Sequence, residues 1–96
     1  MTTFSVPRVN VVACDEGFTV EVLGRVGMRY SERSRTMYID SEVLAGPHGV
    51  VMWRSFIKSW DPPDSEEPVD EATRDHIIEN IRRAFQSQGW PPLEVG

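Results

Sequence analysis

Cysteine is close to absent: Cys14 is the single one in 96 residues, so no internal disulfide can form and the fold has to rest on its apolar core. The same scarcity agrees with a reducing compartment, and Cys14 itself reads as a small core residue. Long apolar runs are missing as well. None approaches the ~20 residues that a helix needs to cross a bilayer, and the opening MTTFSVPRVN lacks the basic-then-apolar layout of a secretory signal. A cytoplasmic protein that engages no membrane is the expectation.

Residues that would carry chemistry are also thin. The two histidines, His48 in a Gly-Pro-His-Gly turn and His76 beside Ile77, are isolated and read as surface or boundary residues. Asp40 and Glu42 stand two apart on a probable strand and so point the same way, as paired carboxylates must for acid–base work or metal binding. No further ligand is spaced to complete such a site, and a wet strand face accounts for them. No serine sits in a Gly-x-Ser-x-Gly setting, and Gly24-x-x-Gly27 is too short for a phosphate loop. The reading is therefore no enzyme, no catalytic residue, no metal and no cofactor.

What is present is an ordinary globular composition, 40% hydrophobic and 26% charged. A chain this short hides roughly 60 to 65% of its unfolded surface, enough for a single modest core, so residues 1–96 form one domain. Asp70 to Gln88 carries the clearest local signal. Ile77, Ile78, Ile81, Ala84 and Phe85 follow the i, i+1, i+4, i+7, i+8 spacing of one helical face. Asp70 suits the N-cap, Glu71 and Asp75 the positive end of the helix dipole, and Arg82 and Arg83 the other end. Gly89 is placed to stop the helix, and Pro91-Pro92 forbids its continuation. Such a stripe needs a surface to cover.

The residues before it supply one. Arg8 to Cys14 and Phe18 to Leu23 read as a hairpin around Asp15-Glu16-Gly17. Met28 to Tyr30 adds a short strand, and Arg35 to Leu44 puts Met37, Ile39, Ser41 and Val43 on one side of its pleat. After the turn at Gly46-Pro47-His48-Gly49, Val50 to Arg54 is the most apolar strand and is expected in the middle of the sheet. Ser55 to Trp60 reads equally as strand or as one helical turn. Asp61 to Val69, with three prolines and four acids, suits a surface loop. Leu93-Glu94-Val95 could close the chain as a last strand. The expected fold is α+β: a mainly antiparallel sheet of five or six strands with one amphipathic C-terminal helix across one face.

Charge is laid out unevenly. Arg25, Arg29, Arg33 and Arg35 have only Glu32 among them, while seven acids from Asp61 to Asp75 have only Arg74. With Tyr30 and Tyr38 nearby, the arginine segment Arg25–Arg35 could serve a small nucleic-acid-binding module, but the net charge of −5 opposes phosphate binding. The expectation is no nucleic acid.

Three short motifs carry a resemblance: DSEVLAGPHG at 40–49, SFIKSWDPP at 55–63 and IIENIRRAFQSQGW at 77–90. Over Asp40 to Gly96 the chain resembles the bacterial immunity protein 74 family. That resemblance implies a single α+β domain that neutralises a cognate protein toxin by binding it, and it carries no catalytic residues over. The alternatives are the nucleic-acid module and a homo-oligomeric structural domain, for example a homodimer. The partner-binding surface is expected at Asp61, Asp64, Glu66 and Glu67 of the acidic loop and at Trp60, whose ring is either partly covered and free to anchor a partner or folded back to cap the core under the helix.

Overall fold

The computed structural model of the chain describes residues 2–44 and 49–96; the expected turn at Gly46-Pro47-His48 lies outside them. Seven strands run in sequence order across one sheet: β1 (Phe4–Arg8), β2 (Val11–Cys14), β3 (Phe18–Val22), β4 (Val26–Glu32), β5 (Arg35–Val43), β6 (Val50–Met52) and β7 (Leu93–Val95), with α1 (Glu71–Ser87) between the last two. Neighbours are antiparallel except β6 and β7, which are parallel because the helix carries the chain back to the end it left.

The fold is the expected α+β one, with one strand more than the expected five or six. The addition is β1. Its sequence FSVPR contains Pro7, which cannot donate to a ladder and so hides the strand signal, yet an edge strand tolerates it. Asn10, at φ 64°, turns the chain back into β2. β6 is corrected too: it is not central but second from the edge, next to β7. A simple meander puts the middle strand of the sequence, β4, in the middle of the sheet. The ambiguous segment after β6 leaves the sheet as a 3-10 turn, Arg54–Phe56.

The inner face of the sheet is the core. Val12, Val20, Met28, Met37, Ile39 and Met52 have no exposed surface, and Ile77, Ile81 and Ala84 of α1 close on them with equally complete burial. The helix touches β2 and β3 on one side and β7 on the other, so the sheet curls around it and leaves a convex outer face. Asp70 caps α1 by accepting a hydrogen bond from the Thr73 N–H at 2.8 Å. At the other end the Gly89 N–H donates to the Gln86 carbonyl and the Trp90 N–H to the Phe85 carbonyl. This is the double bond of a Schellman stop, with Gly89 in the left-handed region at φ 64°. The Trp90 ring packs edge-on to Phe85 at 5.2 Å, the apolar contact that accompanies such a stop. Gly49 is required for a different reason: a Cβ there would lie 2.2 Å from the Pro92 carbonyl oxygen, where the chain approaches β7.

Candidate functional site

Of the two positions open to Trp60, the structure takes the one inside the core. Its ring is 1% exposed, not partly covered, because two elements close on it. The Tyr30 ring lies 6.3 Å away on the core side, and the Arg35 guanidinium sits 4.3 Å over the ring on the other. The charge of Arg35 faces the electron-rich indole and its stem covers apolar surface. Trp60 thus belongs to the core, and it anchors the start of the acidic loop rather than presenting a ring.

That loop is tied down along its length. The Asp61 N–H donates to the Thr36 carbonyl at 2.8 Å, and its carboxylate accepts from the Thr36 hydroxyl at 3.1 Å. Two successive turns follow, the Asp64 N–H donating to the Asp61 carbonyl and the Glu67 N–H to the Asp64 carbonyl, each at 3.0 Å. Glu67 then pairs with Arg35. The four acids proposed from sequence are brought together on one short, ordered loop, but their roles divide. Asp61 and Glu67 hold the loop to β5, while Asp64 and Glu66 have no cationic partner among the described residues. The helix acids are likewise engaged: Arg54 reaches Glu71 at 2.6 Å and Asp75 at 2.5 Å, and Arg74 reaches Glu71 at 2.7 Å.

Between this loop, the β4–β5 turn and the first turns of α1 lies an open cleft of about 380 Å³ bordered by Glu32, Arg33, Arg35, Glu67, Thr73 and His76. Two of its lining residues, Glu32 and His76, belong to a chain of polar groups that the sequence did not reveal. The Tyr30 hydroxyl donates to Glu32 at 2.7 Å and accepts from the Asn80 amide at 2.9 Å, and the His76 Nε2 lies 2.9 Å from the other Glu32 oxygen. Burial pushes the Tyr30 hydroxyl well above its ordinary range. Burial acts on Glu32 in the opposite sense to its bonds, and the hydrogen bonds from His76 and Tyr30 prevail, holding the carboxyl below its usual range. The chain closes on itself and buries Asn80, 3% exposed, with a partner, which explains a polar residue on the helix's inner face. The only sequence signal was spacing: Tyr30 and Glu32 two apart on a strand, His76 and Asn80 four apart on a helix.

One further cluster brings metal-binding types together. Ligand atoms of Cys14, Asp15 and Glu16 lie within 4.8 Å of one another at the β2–β3 turn, but they are committed to protein partners. Glu16 accepts from Arg83 and from the Thr2 hydroxyl, both at 2.6 Å, and the Glu16 N–H points at the Cys14 sulfur at 3.5 Å. The Arg83 hydrogen bond, helped by Thr2, draws the Glu16 carboxyl from 4.5 down to about 2. A folded-state value below the unfolded one makes this pair's stabilising contribution complete above pH 4.5 and lost as pH falls through about 2. In Arg83→Gln the Glu16 midpoint, followed by carboxyl-carbon NMR, is expected to rise by more than one unit toward ~4.3, with little change in stability at neutral pH because the pair is exposed. An unmoved midpoint would refute the pairing.

One helix packed on a seven-stranded, mostly antiparallel sheet makes this a small α+β protein. The chain belongs to the immunity protein 74 family, whose family model matches residues 19–91. The match starts in β3, well before the Asp40 from which the sequence motifs carried the likeness. No curated protein matches the chain, and no solved structure does. No helix among the described residues is long and apolar enough to cross a membrane.

Proposed function

We propose that this protein is a non-enzymatic binding protein that neutralises a cognate protein toxin in the bacterial cytoplasm, and that the acidic loop steers the encounter. Family membership supports the toxin-binding part. The observation that carries the steering role is the loop itself, ordered by Trp60, Thr36 and Arg35 yet holding Asp64 and Glu66 unpaired among the described residues. Fixed carboxylates on an acidic molecule raise the encounter rate with a basic surface and lose that advantage in salt.

The nucleic-acid alternative fares worse on geometry. Arg25 and Arg33 flank β4 at its two ends, about 26 Å apart at strand rise. Arg29 pairs with Glu21 at 3.7 Å and Arg35 with Glu67. The segment that is basic in sequence is not a basic patch in space.

The test is kinetic, with a catalytically dead form of the cognate toxin as probe, sought first as a toxin domain in the adjacent gene. Replacing Asp64, Glu66 and Glu67 together by Ser is expected to slow association by about tenfold at low salt and to flatten its ionic-strength dependence. The melting temperature should change little, since the one ion pair lost, Glu67 with Arg35, is partly exposed. Unchanged association with unchanged salt dependence would reduce the loop to solvated surface.

A further inference from the structure

The single helix covers only the inner face of the sheet, and the outer face carries an unequal load. On β4 to β7 its exposed positions run Tyr38, Asp40 and Glu42 along β5, with exposed Val26 and Glu94 and half-buried Val51 paired in one row across Glu42. Val26 is 61% and Tyr38 46% exposed, and the Tyr38 ring lies over Gly27, the residue after Val26, so the two form one exposed apolar patch. The carboxylates of Asp40, Glu42 and Glu94 have no cationic partner among the described residues. Toward the β1 edge the same face is balanced, Glu21 lying between Arg29 at 3.7 Å and Arg8 at 3.8 Å. Arg25 lies at the rim beside Val26 and Glu42, and Arg29 stands opposite Tyr38.

We propose that the β4–β7 end of this outer face is the docked contact surface for the toxin, taking an apolar centre ringed by lysines and arginines; this rests on the toxin-neutralising reading above. Charge selects the occupant. A second copy of the chain would bring only Arg25 and Arg29 of this face to offset the three carboxylates of each copy, and a nucleic acid would be repelled. A basic protein surface instead neutralises Asp40, Glu42 and Glu94 while covering Val26 and Tyr38. Four strands spaced by about 4.8 Å make this end of the face roughly 19 Å wide, the centre rather than the whole of the ~800 Å² that each partner of a standard interface contributes. The acidic loop lies at the other end of β5, beside Thr36, so the loop acts on approach and the sheet face holds the docked complex.

The two roles separate in a single binding experiment with the dead toxin domain as probe. Asp40→Lys with Glu42→Lys is expected to raise the dissociation rate by roughly 30-fold or more while leaving the circular dichroism spectrum and melting curve of the free protein unchanged. Glu94→Lys, on another strand, should weaken binding in the same direction. In hydrogen exchange of the complex, the backbone of β5 and β6 should gain protection over that of the loop. Should the double variant bind as the parent does while the loop variant still slows association, the sheet-face assignment falls and the toxin-binding reading stands. If the parent does not bind the toxin domain at all, both fall. If the free protein forms dimers that the double variant disrupts, the occupant is a second copy and the assignment to a toxin is overturned.

Discussion

Ile81→Asp is expected to cost at least about 4 kcal/mol, enough to remove most of the 5–15 kcal/mol that holds a typical domain. Ile81 has no exposed surface and sits mid-helix over the inner face of the sheet. The substitution loses the transfer free energy of the isoleucine and leaves a carboxylate where the curled sheet excludes water, and each loss alone is worth a few kcal/mol. For a domain of this size the melting temperature should fall by roughly 20 °C, or no cooperative transition should remain. Glu79→Ala, two residues away on the exposed face, should stay within about 0.5 kcal/mol. Similar melting curves for the two variants would mean that α1 does not lie on the sheet as described.

Trp60→Ala comes next, at about 3 to 5 kcal/mol, the range for emptying a core site of this volume. The loss extends beyond the ring, because Arg35 would be left over a cavity and the loop would lose its anchor at Asp61. The companion Trp60→Phe is informative in the other direction. The Trp60 Nε1 has no hydrogen-bond partner among the described residues, so the smaller ring sheds an unsatisfied buried donor while keeping most of the apolar contact. Its cost is expected below about 2 kcal/mol, and urea unfolding of both variants measures the difference. Trp60→Ala with an unchanged midpoint and lost toxin binding would instead return Trp60 to the surface and to the interface.

The burial of Trp60 shows what kind of information a linear reading misses. A tryptophan immediately before Asp-Pro-Pro marks the end of a regular element, but nothing local says that Arg35, twenty-five positions earlier, will lie over its ring. The same holds for Glu32, His76 and Asn80, which read as a lone acid, a lone histidine and an unremarked amide until β4 and α1 are brought face to face. The charge asymmetry was visible in the sequence, yet much of it cancels in space through Arg35 with Glu67 and Arg54 with Glu71 and Asp75. The acids without a cationic partner among the described residues include Asp64 and Glu66 on the loop and Asp40, Glu42 and Glu94 on the outer face of the sheet.

Elements set by local physics were determined by the sequence alone. The helix needed only its apolar period, the Asp70 cap and the Gly89 stop, and these lie within one stretch of chain; the β2–β3 hairpin needed only β-branched residues around a tight turn. The α+β class followed, because an amphipathic helix after several strands has one surface to cover. Tertiary structure decided the rest: β6 beside the edge, β1 paired despite Pro7, Trp60 inside, and Asp40, Glu42 and Glu94 left together on an uncovered face. Those outcomes depend on contacts between residues far apart in sequence, and such contacts exist only once the sheet has curled around the helix.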